Sequence, residues 1–188
     1  MLRPLPLLLH PRRGEDAPAP RDLRGQWDSE GGGQELTDER DNFRVFGYGN
    51  PFRQDDGIGH HLAPLLTEDL ERAGKRAHLW LGHQLLPEAA LEIGPEDVLI
   101  FVDASLEEYA DGFILERVQP DAASNRGLNI HSFGPSWFLA LLKDLGTGYG
   151  DAWTLSVAGV SFDFGEDLSR ECAKRSELAR ETFRERFC

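Results

Sequence analysis

Asp56, Asp103 and His131 are the three polar residues whose types and places in this 188-residue chain could form one reactive centre. Asp56 closes the loop after a first apolar run, Asp103 ends a second and stronger one at residues 98–102, and His131 stands just before a helical pattern that starts near Ser132. Two carboxylates and one imidazole make an oxygen, oxygen, nitrogen set. Such a set suits a borderline divalent cation such as nickel or zinc, with open positions left over. Each residue also has an ordinary structural use. Asp56 and Asp103 could cap a helix or turn, and His131 could be a hydrogen-bonded histidine near a helix start. Spacing alone leaves both uses open.

Other chemistries fit the residues less well. Gly47-Tyr48-Gly49 suggests a dinucleotide loop, but Phe52 stands where the third small residue belongs, and Asp55 and Asp56 would repel a pyrophosphate. No Gly-Lys-Ser/Thr follows the glycines, and the chain has no Gly-x-Ser-x-Gly elbow. Ser105 and Ser161 follow strands without a histidine that can be placed beside them, Cys172 lies in a charged helical pattern, and Cys188 is terminal. His60 and His61 are adjacent, so they point to different faces of a helix and read as surface or packing residues. His83, ahead of the segment that opens at Gln84, is a candidate supporting group.

The elements that must position these groups alternate between strand and helix. Residues 43–46 form a β-prone run that stops at Gly47, Asn50-Pro51 signals a turn, and an amphipathic helical pattern covers residues 58–70. A short apolar run at 77–81 precedes a helix-compatible stretch, 84–93, with Pro87 in its first turn. Residues 97–104 read as a strand buried on both faces, as in the centre of a parallel sheet. Strands at 113–118 and 153–160 and helices at 132–145 and 168–187 complete the pattern. The expected fold is α/β: a three-layer α/β/α sandwich around a mostly parallel central sheet, whose carboxyl-edge loops bring Asp56, Asp103 and His131 to one rim.

Composition narrows the rest. Residues 1–42 carry five prolines and the run Gly31-Gly32-Gly33 without a sustained period, and read as a disordered extension ahead of one domain at 43–188. The formal charge of −13 argues against nucleic acid as a partner. No stretch has the roughly 20 apolar residues a spanning helix needs, and residues 7–9 do not make a signal peptide. Two cysteines without CxxC spacing fit a reducing compartment, so a cytoplasmic protein is expected.

Five segments in register resemble one family. Residues 47–59, Gly-Tyr-Gly-Asn-Pro-Phe-Arg-Gln-Asp-Asp-Gly-Ile-Gly, are similar to the opening loop of the hydrogenase maturation proteases, the endopeptidases that trim the large subunit of nickel-iron hydrogenases. Gln84-Leu-Leu-Pro-Glu88, Phe101-Val-Asp-Ala104, the segment from His131 to Leu142 and the late loop 158–169 resemble further family segments in the same order. Tyr48 departs from the small aliphatic residue common in the loop, and Gln54 and Ser161 stand where other residues are frequent. The resemblance implies a protease with no tightly bound cofactor of its own, acting on a large-subunit precursor; a monomer is expected. Asp56, Asp103 and His131 would contact nickel carried by that precursor and take part in removing its C-terminal peptide. The alternative is a metal-sensing chaperone or scaffold that binds the same precursor without cutting it.

Overall fold

The computed structural model describes residues 42–120 and 134–188. His131 and the proline- and glycine-rich extension up to residue 41 lie outside the described residues.

Five strands form one sheet: β1 (Asn42–Tyr48), β2 (Arg76–Gly82), β3 (Val98–Ser105), β4 (Phe113–Arg117) and β5 (Asp151–Ala158). Their order across the sheet is β2-β1-β3-β5-β4. The first four in that row run parallel, and β4 pairs antiparallel with β5 at the edge. β3 sits in the middle, and Val98 to Val102 are all buried. A central parallel strand is covered on both faces, which is why its sequence is continuously apolar instead of alternating.

Among the described residues three helices cover the sheet: α1 (Ile58–Arg72), α2 (Pro135–Asp144) and α3 (Arg170–Phe187). α1 and α3 share one face, where Ile58, Leu66 and Phe183 meet Val45, Ile100 and Val157. α2 takes the other face, where Phe138 packs in a cluster with Phe46 and Phe101. Burying these rings fully at about 25 cal/mol per Å² of apolar surface is the main force that holds the layers together. Asp69 of α1 joins the two helices of its face, accepting from Arg180 Nε at 2.6 Å and Nη2 at 2.9 Å. The three-layer α/β/α reading is the observed architecture.

Two expected elements differ. The stretch 84–93 is not a helix: only Pro87–Ala90 winds, as a 3₁₀ turn. Leu85, Ala90 and Ile93 still bury against α2's layer, so this apolar spacing serves an irregular segment that packs without a helical ladder. β1 also does not stop at Gly47. It begins at Asn42 and continues through Tyr48, one residue further at the start and two at the end than the apolar run suggests.

Where the strand order reverses, between β1 and β3, the loops leaving their carboxyl ends diverge to opposite sides. This switch point is where open α/β sheets form clefts. Asp56 follows β1 and Asp103 lies in β3.

Candidate active site

The loop after β1 is shaped by its glycines. Gly49 has φ +124°, and a Cβ there would lie 1.9 Å from the Asp56 carbonyl oxygen, so no side chain fits where the loop folds back on itself. Gly59, at the start of α1, would place a Cβ 2.3 Å from the Tyr48 carbonyl oxygen and 2.7 Å from that of Val102. A helix this close to two strands aims its first turn straight at the sheet's carboxyl edge.

Asp55 and Asp56 divide the work. Asp55 is fully buried and accepts four hydrogen bonds: Val160 N at 2.8 Å, Ser161 N at 2.9 Å, Ser169 N at 2.7 Å and Ser169 Oγ at 2.8 Å. Burial pushes its carboxyl up, but the donors from Val160, Ser169 and Ser161 outweigh that and hold it below the usual aspartate range. Asp55 is therefore a structural staple between the β1 loop and the late loop. Asp56 has one bond of this kind, Asn50 N to Oδ2 at 3.0 Å, and its carboxylate is half-buried. It does not cap α1, whose N-cap is Gly57 with no side-chain bond.

Asp103 stands on β3 in register with Ser156 of β5, whose Oγ donates to Oδ1 at 3.0 Å. Burial pushes the Asp103 carboxyl up to about 6, with the Asp56 charge adding to the rise and hydrogen bonding from Ser156 and Tyr48 opposing it. The two carboxylates therefore sense each other across the β1–β3 cleft. A carboxyl at about 6 exchanges its proton near neutral pH, the property wanted of a general acid or base. Like-charge crowding on two carboxylates is relieved when a cation sits beside them, and among the described residues no group of three His, Cys, Asp or Glu side chains is placed to hold a metal ion.

Of the three candidates, Asp56 follows β1 and Asp103 lies on the neighbouring strand β3, where the Asp56 charge raises the Asp103 carboxyl, and His131 lies outside the described residues. His60, which reads as a surface or packing residue in sequence, does more than that. Its Nε2 lies 3.0 Å from both the Gly49 and the Gly82 carbonyl oxygens, so this nitrogen carries the proton and ties the β1 loop to the end of β2. His83 is its ring neighbour, at 6.2 Å between centroids. No spacing rule signals such a tie, because both acceptors are backbone.

The rim around the cleft is apolar and exposed. Phe164 is 91 % accessible, Leu106 83 %, Phe52 56 % and Val160 55 %. The segments that carry them are stitched together: Gly165 N donates to the Phe52 carbonyl at 3.0 Å, and Gly159 N to the Ser105 carbonyl at 2.9 Å. Arg53 Nε and Nη2 donate to the Phe162 carbonyl at 3.0 and 2.8 Å. Gln54 takes φ 44°, a conformation that favours glycine, and is held there by its N–H bond to the Gly165 carbonyl at 2.8 Å.

The α/β/α sandwich is shared with solved endopeptidase structures. The hydrogenase maturating endopeptidase HybD from E. coli superposes with a TM-score of 0.56 at 20 % identity, covering 75 % of this chain and 88 % of that one. An endopeptidase from Escherichia coli solved in solution gives 0.55 at 21 %, with the same coverages of 75 % and 88 %. The endopeptidase HycI from Escherichia coli gives 0.52 at 17 %, covering 77 % and 90 %. At these identities the likeness establishes the fold. No family model and no curated protein matches the chain.

Proposed function

We propose that this protein is a maturation endopeptidase that removes the C-terminal peptide of a nickel-loaded [NiFe]-hydrogenase large-subunit precursor. The observation that carries the reading is the Asp56–Asp103 pair, two interacting carboxylates at the switch point of a fold shared with HybD. The exposed rim of Phe52, Leu106, Val160 and Phe164 supports a protein substrate, since apolar side chains left in water at a cleft mark a surface that another chain covers.

In this reading nickel belongs to the substrate. It arrives in the precursor, and Asp56, Asp103 and His131 would meet it. Bound there, it supplies a Lewis acid for the scissile carbonyl. The chain's own part is proton handling and positioning. Water adds its oxygen to the carbonyl carbon, the peptide C–N bond breaks, and one proton passes to the departing amine. Asp103, with a carboxyl near 6, is the group suited to take that proton from water and return it. Asp56, held by Asn50 N, keeps a fixed orientation towards the docked metal. Asp55 keeps the loop in place through Ser169 and the residues near Val160.

The test is intact-mass analysis of a candidate large-subunit precursor incubated with the protein, with and without nickel loading. Loss of a short C-terminal peptide from the nickel-loaded form alone is the expected result. Cleavage regardless of nickel would keep the protease and remove the metal-sensing role of Asp56, Asp103 and His131. Binding of the loaded precursor with no change in mass would favour a chaperone that checks the metal without cutting.

A further inference from the structure

We propose that Tyr48 is the positioning residue of Asp103: Tyr48, Asp103 and Ser156 stand side by side on three adjacent strands, and the buried Tyr48 hydroxyl limits which way the Asp103 carboxylate faces. The inference rests on the proposed role of Asp103 in the site, and on three structural observations.

The first is register. Phe46 pairs with Phe101 and Gly47 with Val102 on parallel strands, so Tyr48 and Asp103, each two residues past the Phe46–Phe101 pair, project from the same face of the sheet. Asp103 is in turn the register partner of Ser156. Ser156 Oγ lies 3.3 Å from Thr154 Oγ1, which continues the polar row along β5. The row crosses the sheet at the carboxyl end, directly beneath the cleft.

The second is the state of the hydroxyl. Tyr48 packs in the aromatic cluster under α2 and is 8 % exposed, and its hydroxyl is buried without a hydrogen bond of good geometry among the described residues. A buried hydroxyl with no partner destabilises a fold. Here the hydroxyl belongs to the strand neighbour of Asp103, whose Oδ1 accepts from Ser156 Oγ.

The third is electrostatic and agrees with the placement. Burial, then the Asp103 charge and its hydrogen-bonding contact, holds the Tyr48 phenol well above its usual value. A phenol beside a carboxylate can donate its O–H to it. Ser156 on one side and Tyr48 on the other leave Asp103 little freedom to turn. A carboxylate that must meet a metal and a scissile bond at set angles gains from that restriction.

The test uses the full chain labelled with ¹³C at aspartate carboxyls, with the Asp103 resonance identified by its disappearance in Asp103→Asn. In Tyr48→Phe, which keeps the ring and removes only the hydroxyl, the Asp103 resonance shifts and the thermal midpoint is unchanged or higher. With the nickel-loaded precursor, kcat falls about tenfold, the loss of one hydrogen bond in the reacting state, while KM stays within about twofold. Ser156→Ala, the opposite side of the row, moves the same resonance. An Asp103 resonance unmoved in Tyr48→Phe overturns the proposal, as does a kcat equal to wild type. A parallel fall of thermal midpoint and kcat assigns Tyr48 to packing and also overturns it. If the wild-type protein cuts no precursor, the protease reading fails by itself, and the carboxyl resonance still decides whether Tyr48 holds Asp103.

Discussion

Ser169 Oγ makes two bonds at once: it donates to Asp55 Oδ2 at 2.8 Å and accepts from Cys172 N at 3.1 Å as the N-cap of α3. One hydroxyl therefore fastens the start of the last helix to the loop that presents Asp56. The cap satisfies an otherwise orphaned helix N–H, and the same contact helps a buried carboxylate stay charged.

The division between the two adjacent aspartates predicts opposite mutant phenotypes. Asp55→Ala is expected to destabilise the protein by at least about 1–3 kcal/mol, the range for leaving a buried donor without its acceptor. Asp56→Asn is expected to keep wild-type stability and lose processing. Urea unfolding midpoints alongside the intact-mass assay separate them, and an Asp56→Asn protein that processes normally would remove Asp56 from the site.

The same staple gives stability a defined acid limb. Asp55 is held below its unfolded value, so it stabilises the fold above the unfolded aspartate pKa of about 3.9 and loses that contribution as pH falls through its lower, folded value. Asp55→Asn should therefore flatten the acid limb of the urea-midpoint profile. An unchanged limb would show that other carboxylates control acid unfolding.

Asp103 predicts the reverse sign. Its carboxyl is raised by burial from 3.8 to about 6, so the folded state binds its proton more tightly and stability falls as pH rises between those values. That displacement corresponds to about 3 kcal/mol at most. Asp103→Asn should accordingly raise the thermal midpoint at neutral pH, change it less in mild acid, and abolish processing. A midpoint that drops at neutral pH would show that the ionised carboxylate stabilises the fold.

Gly49→Ala tests the loop geometry without touching a charged group. With φ +124° and the Asp56 carbonyl 1.9 Å from the new Cβ, the loop must open, and processing should fall by about tenfold or more as Asp56 moves. A Gly49→Ala protein with full activity would mean that the position of Asp56 is not critical.

Removing residues 1–40 should leave processing unchanged, because β1 starts at Asn42 and every described contact of Asp56 and Asp103 lies downstream. Asn42 itself must stay, since its Nδ2 donates to the buried Asp97 carboxylate. A truncated protein that folds and no longer cuts would assign the extension a role in recognising the precursor.

Much of this was legible in the residues, and what was not has a physical cause. The β3 strand, the loop with its paired aspartates and the place of Asp103 follow from periodicity and turn chemistry, which act locally. Telling Asp55 from Asp56 does not: both are aspartates in one turn, and the partners that make Asp55 structural lie 105–114 residues away. Residues 84–93 have helical spacing and a favourable proline, yet wind for only one turn because their apolar side chains bury without it. Ending β1 at Gly47 hid Tyr48 as a strand residue, although the alternation from Phe46 to Tyr48 is the signal that places it over the sheet. His60 binds two backbone oxygens, and no residue pattern announces that.

Because Asp55 draws its donors from residues 160, 161 and 169, the loop after the first described strand lacks these bonds until residue 169 has been made. On a ribosome, Asp56 would leave the exit tunnel long before the residues that hold its loop. A stalled or C-terminally shortened product would carry the carboxylate without its geometry. The loop that carries Asp56 is thus fastened only once residues through Ser169 have emerged.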